Sequence, residues 1–460
     1  MKKHILGTLI GLLIFLPATG SGKEVAREKL IEDIDTYVSY ISQVHADPWR
    51  LISGAEFKQK AEEIKQRIQG LNEDTIPIVD CFFYLEELAA AIQDGHTGIN
   101  PPFQQFEGTE PAFPFSLKVI DDKVFVVEKW RDDPLPLYSQ ILEIDQVAIE
   151  TYRAKSSILA NSSLKQARDF LFGQTFSILL GIYFKKNPPW EVKYKLNDQV
   201  QTVEVQGMSL GEYMPLAFES NTQYREYLIE VDGKKIPVLD IPNFSYGERA
   251  DYDTFIDEFF KKHKEAEYLV IDLRENPGGS GYWGYYLLDC LVDEPYLITK
   301  EFIFKVSDTM RKSGYADKAG ELIHKAKNGE YLTVRKKAMQ TPHKNSGRFK
   351  GQVFCLISER TFSAGVVTAA IFQGNKMGIL VGQETRGRVK FCSDPVNMTL
   401  PNTKLQAIIP LAIYELPGDN PDRGVRPDIK VTRKIDDYRK GKDKELEVVK
   451  KFIRKQRLSY

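Results

Sequence analysis

Excess charge is missing from this chain. Lysine and arginine number 63 against 64 aspartates and glutamates, a formal net charge of −1. That balance gives no electrostatic reason to expect nucleic acid or an anionic membrane as a partner. Cysteine is scarce. The four are Cys81, Cys290, Cys355 and Cys392, mostly in apolar runs and at spacings that fit no metal motif. Buried free thiols are the expectation, although export would permit disulfides. Histidine is scarce too, with six in 460 residues, so each can be weighed singly. No internal repeat or low-complexity tract occurs. What is there, 42% hydrophobic and 28% charged residues, is ordinary for a soluble globular chain of about two or three domains.

The N-terminus carries a basic MKKH, an apolar ILGTLIGLLIFLPA and small residues after it. This is the plan of a secretory signal peptide over residues 1–20, with Ala18, Thr19 and Gly20 permitting cleavage before Ser21. The apolar run is short for a span, and no cysteine follows it to take a lipid. The expectation is export, with no stable membrane insertion after cleavage.

Residues 21–105 read as helical. Ser53 and Glu56 form a capping-box pattern, and Phe57, Ala61, Ile64, Ile68 and Leu71 recur at helical spacing. A second helix carries Cys81, Leu85, Leu88 and Ile92 and is expected to end at Gly95. Residues 106–206 mix strands and helices. From 207 to 435 apolar strands such as YLVIDLR and VFCLIS alternate with helices, which implies an α/β core built on a mostly parallel sheet covered on both faces. Residues 300–350 are charged and read as an insertion. Residues 436–460 read as a solvated C-terminal helix.

Ser363, in ERTFSAGVVTAAIFQ, stands at a strand-to-helix turn. A serine there is a favoured N-cap, but the same turn suits a nucleophile. Strand YLVIDLR runs into ENPGGSG, whose glycine amides can approach a ligand closely, although Asn-Pro and Gly-Gly are also plain turn formers. Of the histidines, His4 falls in the signal segment, and His263, His324 and His343 in charged stretches. His45 lies between apolar residues and reads as structural. His96, in DGHTG after a helix, is the candidate general base.

YLVIDLRENPGG, TFSAG, GQETRG and GVRPDIKV follow one another in that order. Together they resemble the tail-specific, or C-terminal processing, serine peptidases and their tricorn-like relatives, over most of residues 225–435. The resemblance implies a crotonase-like core, Ser363 as nucleophile and an oxyanion hole from the amides of Gly278 or Gly279 and Ala364. It also implies a PDZ-like domain, which residues 106–206 would supply in degenerate form, because Ser139 and Gln140 replace a glycine usual there. In the processing proteases the base is a lysine, and Arg388 falls on that position. An arginine cannot act as a base at neutral pH. The tricorn-like branch uses a histidine, which His96 matches. That branch also has a serine beside the histidine. Gly95 stands before His96 in its place, and Thr97 follows.

The resulting expectation is an exported serine peptidase with Ser363 as nucleophile, His96 as base and Asp422 as orienting acid, Glu384 being an alternative acid. Its partners are peptides or unfolded proteins, with no nucleic acid, no metal and no organic cofactor. No oligomeric state follows from the sequence. Two rivals stay open: a Ser-Lys peptidase using Lys390, and a non-catalytic binding protein on the same fold.

Overall fold

Three strands without polar alternation, Tyr268–Asp272, Gln352–Ile357 and Ile379–Gly382, dictate the centre of the molecule. A computed structural model describes residues 23–218, 223–343, 348–418 and 420–457. The expected signal peptide and its cleavage point lie outside the described residues. Sheet order runs Arg225–Val231, Lys234–Asp240, Tyr268–Asp272, Gln352–Ile357, Ile379–Gly382, Ile429–Lys430. The first pairing is antiparallel and the others are parallel. Successive side chains point to opposite faces. Leu269, Ile271, Val353 and Cys355 meet the helices Arg249–His263, Gly281–Asp289 and Ala364–Gly374. Val270, Phe354 and Leu356 meet Leu446, Val449 and Ile453 of the helix Lys444–Arg457. That last helix was expected to be solvated. Its charged residues hide an apolar stripe that closes the second face of the sheet.

The charged stretch 300–350 is a second departure. Strands Tyr296–Lys305 and Tyr331–Gln340 belong to an antiparallel sheet with Gln406–Glu415 and Lys390–Thr399. The short strand Gly98–Ile99 joins it, with Ile99 opposite Ala407 and Gly98 opposite Ile408. The N-terminal helices Arg27–Val44, Gly54–Gln69 and Ile78–Ala90 pack on this sheet through Leu30, Ile34, Phe57, Ile64 and Leu88 against Phe304, Ile409 and Leu411. The expected capping box at Ser53 and Glu56 forms. The helix over Ile78 stops at Ala90, not at Gly95. Residues 91–97 are therefore a loop, tied down on one side by the helix and on the other by the Gly98–Ile99 strand.

A third, antiparallel sheet holds Phe115–Ile120, Lys123–Lys129, Gln140–Ile144, Trp190–Leu196 and Gln199–Val205. Helix Lys165–Ile182 lies on it through Phe172, Phe176 and Leu180. All four cysteines are buried, and none forms a disulfide among the described residues. Among the described residues no helix is long and apolar enough to cross a membrane.

Candidate active site

The turn that carries Ser363 is built by hydrogen bonds between loops that leave adjacent parallel strands. Thr361 Oγ1 donates to Leu273 O (2.8 Å) and Ser358 Oγ to Arg274 O (2.6 Å). The Phe362 amide donates to Asn276 O (3.0 Å). These bonds hold Ser363 at φ 49° and ψ −121°, a conformation that a non-glycine residue adopts only when its surroundings impose it. Ser363 occupies the N-cap position of helix Ala364–Gly374, yet its side chain caps nothing. Its Oγ instead lies 3.1 Å from His96 Nε2, across 267 residues of chain.

The loop that carries His96 is organised by Asp94. Its Oδ1 accepts from the His96 amide (2.9 Å) and from Thr97 Oγ1 (3.3 Å), and its Oδ2 from the Cys392 amide (3.3 Å). Behind it, His45 Nδ1 accepts from the Asp47 amide (3.0 Å), which leaves the proton on Nε2 to be donated to Thr97 Oγ1 (2.7 Å). Burial lowers the His45 pKa to about 4, so this histidine is a neutral strut. The imidazole of His96 stacks on Phe362 and Phe391, with centroids 4.8 and 5.5 Å away. Burial lowers its pKa, Asp94 opposes that shift and Arg386 adds to it. The sequence reading did not single out Asp94, whose carboxylate bonds the His96 backbone amide. An Asp before Gly-His reads locally as a turn residue, and nothing in the sequence brings Cys392 to it.

Two backbone amides near the serine make no hydrogen bond among the described residues. Ala364 opens the helix, and its N–H has no acceptor among the described residues. Neither has Gly279, because the bridge to Phe244 uses the amides of Phe244 and Ser280. Gly278 was expected to share this role, but its N–H donates to Asn276 Oδ1 (2.8 Å). Its contribution is steric. A Cβ there, at φ 108°, would stand 2.7 Å from Ser363 Cβ. At Gly279, φ 127°, a Cβ would meet Phe244 O at 2.3 Å, so this position also requires glycine.

The remaining candidates are not brought to the imidazole. Asp422 Oδ1 pairs with Arg50 (2.6 Å), which also donates to Lys390 O. No hydrogen bond joins Asp422 to His96, so the expected orienting acid is engaged elsewhere. Glu384 holds Arg423 and the Gly424 amide. The Lys390 amine lies 3.3 Å from Glu415, and no hydrogen bond joins it to Ser363. Arg388, on the family's lysine position, donates to Gln93 O (3.2 Å). Ser363, His96, Gly278 and Gly279 line one cavity of about 330 Å³ together with Phe82, Phe172 and Arg386. A cluster with metal-ligand character, Asp257, Cys290 and His343, lies outside it.

Residues 235–431 match the model of peptidase family S41. The tail-specific protease of Haemophilus influenzae is 26% identical over 159 residues, 35% of this chain and 18% of that protein. A tricorn-like protease C-terminal subunit of Sulfurisphaera tokodaii is 24% identical over 233 residues, 50% of this chain and 22% of that protein. The chain thus spans about a fifth of the length of these curated relatives. Among solved structures, mature CPAF shares the fold with a TM-score of 0.71 at 18% identity, over 93% of this chain and 97% of that one. CPAF complexed with lactacystin gives 0.69 at 16%, over 93% of this chain and 98% of that one. With its motifs in order along the matched segment, residues 235–431 are similar to the domain of peptidase family S41.

Proposed function

We propose that the protein is an exported serine peptidase that cleaves peptides or unfolded proteins through an acyl-enzyme on Ser363. His96 takes the serine proton as the hydroxyl attacks the scissile carbonyl, and returns it to the leaving amine. The amides of Gly279 and Ala364 stabilise the oxyanion. Water then attacks the ester, with His96 again as base. The observation that carries this reading is the serine at an N-cap whose hydroxyl meets an imidazole at 3.1 Å. A depressed pKa keeps that imidazole neutral, as a base must be. Asp94 replaces Asp422 as the acid that orients the histidine loop. The crotonase-like core and the degenerate PDZ-like unit at 106–206 belong to the same proposal, as do the boundaries 1–20, 21–105, 207–435 and 436–460.

Labelling with a fluorophosphonate probe tests it. Lactacystin, found in complex with mature CPAF, is a second probe. Wild type should label, Ser363→Ala should not, and His96→Ala should label about 10²–10⁴-fold more slowly. Unchanged labelling of His96→Ala removes the histidine from the mechanism. If Lys390→Ala alone abolishes labelling, the Ser-Lys rival stands. A wild-type protein that neither labels nor cleaves any peptide is a binding protein.

A further inference from the structure

We infer that Arg386 is the carboxylate-binding residue of the catalytic cavity, selecting peptides that place a carboxylate beside the scissile bond. The inference rests on the peptidase reading above and deepens it.

Arg386 follows the strand Ile379–Gly382, and its amide donates to Thr361 O (3.1 Å), so its backbone is fixed against the nucleophile turn. The residue is 7% exposed and lines the same cavity as Ser363, His96 and Gly279. Its guanidinium lies over Phe362 at 4.3 Å and over Phe170 at 5.0 Å. Its Nε is buried and has no acceptor. Among the described residues the guanidinium makes no hydrogen bond and no ion pair. Other arginines sheltered in this protein are matched: Arg274 by Asp272, Asp443 and Glu445, Arg360 by Glu275, and Arg433 by Glu445. A buried charge without a counter-ion is unfavourable, and stacking on two rings offsets only part of that cost.

Neither carboxyl lining the cavity pairs with Arg386: Asp94 accepts from the His96 amide, Thr97 Oγ1 and the Cys392 amide. Glu86 lines it too, but its oxygens accept from the Ile99 amide (2.7 Å) and Asn161 Nδ2 (3.2 Å). Burial lifts the Glu86 carboxyl to about 8, so it is mostly protonated at neutral pH. With Arg386 and Arg388 set against Asp94, the cavity is left cationic. A planar guanidinium in that setting matches a carboxylate.

Placement limits where the carboxylate sits. Guanidinium and imidazole both rest on the Phe362 ring, at 4.3 and 4.8 Å from its centroid. A carboxylate on Arg386 is therefore about one or two residues from the bond under attack. Two sources share this chemistry: the free C-terminus of a peptide, or an Asp or Glu side chain flanking the cleavage site. If Arg386 only braces the turn by stacking on Phe362 and Phe170, its loss lowers kcat for every substrate alike.

The test uses short cleaved peptides in matched pairs, free acid against C-terminal amide and Glu or Asp against Gln or Asn beside the scissile bond. In wild type, one of the two neutralisations should raise KM about 10- to 100-fold, and which one does so identifies the source. In Arg386→Met that ratio should fall to about twofold or less, and Arg386→Lys should keep part of it. Equal KM for acid and neutral peptides in wild type overturns the inference, and this arm needs no variant to fold. An unchanged ratio in Arg386→Met overturns it as well. Calorimetry with the same peptides on Ser363→Ala separates the two readings. Carboxylate-selective binding by a wild-type enzyme that never turns over defeats the peptidase and keeps the Arg386 site. Turnover without selectivity does the reverse.

Discussion

Burial decides the behaviour of His96. The ring is closed in by Phe362 and Phe391, and desolvation outweighs the pull of Asp94. On the proposed mechanism the base must be neutral to accept a proton, so a depressed pKa extends activity toward acid. The acid limb of kcat/KM should fall below the ordinary 6.5 of a histidine. Asp94→Asn removes the anion that favours imidazolium, so it should move the limb lower still and reduce kcat as the loop loosens. A pH–rate profile checks both, and a limb at or above 6.5 contradicts this account. At this scale Ser363 and His96 were legible because their motifs are local strings. Asp94, Thr97 and His45 were not, because their roles lie in contacts with one another and with Cys392.

Elements are joined across the Ser363 turn by a largely buried pair. Lys118, in strand Phe115–Ile120, holds Glu359, four residues before Ser363. Burial by itself would raise the Glu359 pKa, but the Lys118 ammonium overrides it and holds the carboxyl down at about 2. A depressed carboxyl stabilises fully above its unfolded value of 4.5, and that stabilisation is lost as pH falls toward 2. Glu359→Gln leaves the lysine uncompensated and should destabilise the protein by about 3–5 kcal/mol at pH 7. Urea unfolding at pH 7 measures it, and an unchanged midpoint would show the pair to be energetically idle. The strand Tyr331–Gln340 shows why charge misled at this scale. Most of its residues are exposed, so charged side chains are natural there, and only its pairing with Tyr296–Lys305 identifies it as sheet.

The whole molecule depends on its last helix to close the central sheet. Leu446, Val449 and Ile453 are buried against Val270, Phe354 and Leu356, while Asp443 and Glu445 reach Arg274. Ile453→Ala should cost about 2–5 kcal/mol, seen as a lower Tm. A solvated helix would tolerate the change.

Sequence by itself determined the parallel core, the strand-to-helix serine and the candidate histidine, because apolar runs and turn residues act over a few neighbours. Tertiary structure alone decided that Ser363 meets His96 instead of capping its helix, that Gly279 and not Gly278 offers a free amide, that Asp422 pairs with Arg50 while Asp94 holds the His96 amide, and that Arg386 is buried without an ion pair among the described residues. Each of these is a choice of partner across a long stretch of chain. Such choices are made by packing and leave no periodicity in the sequence to read.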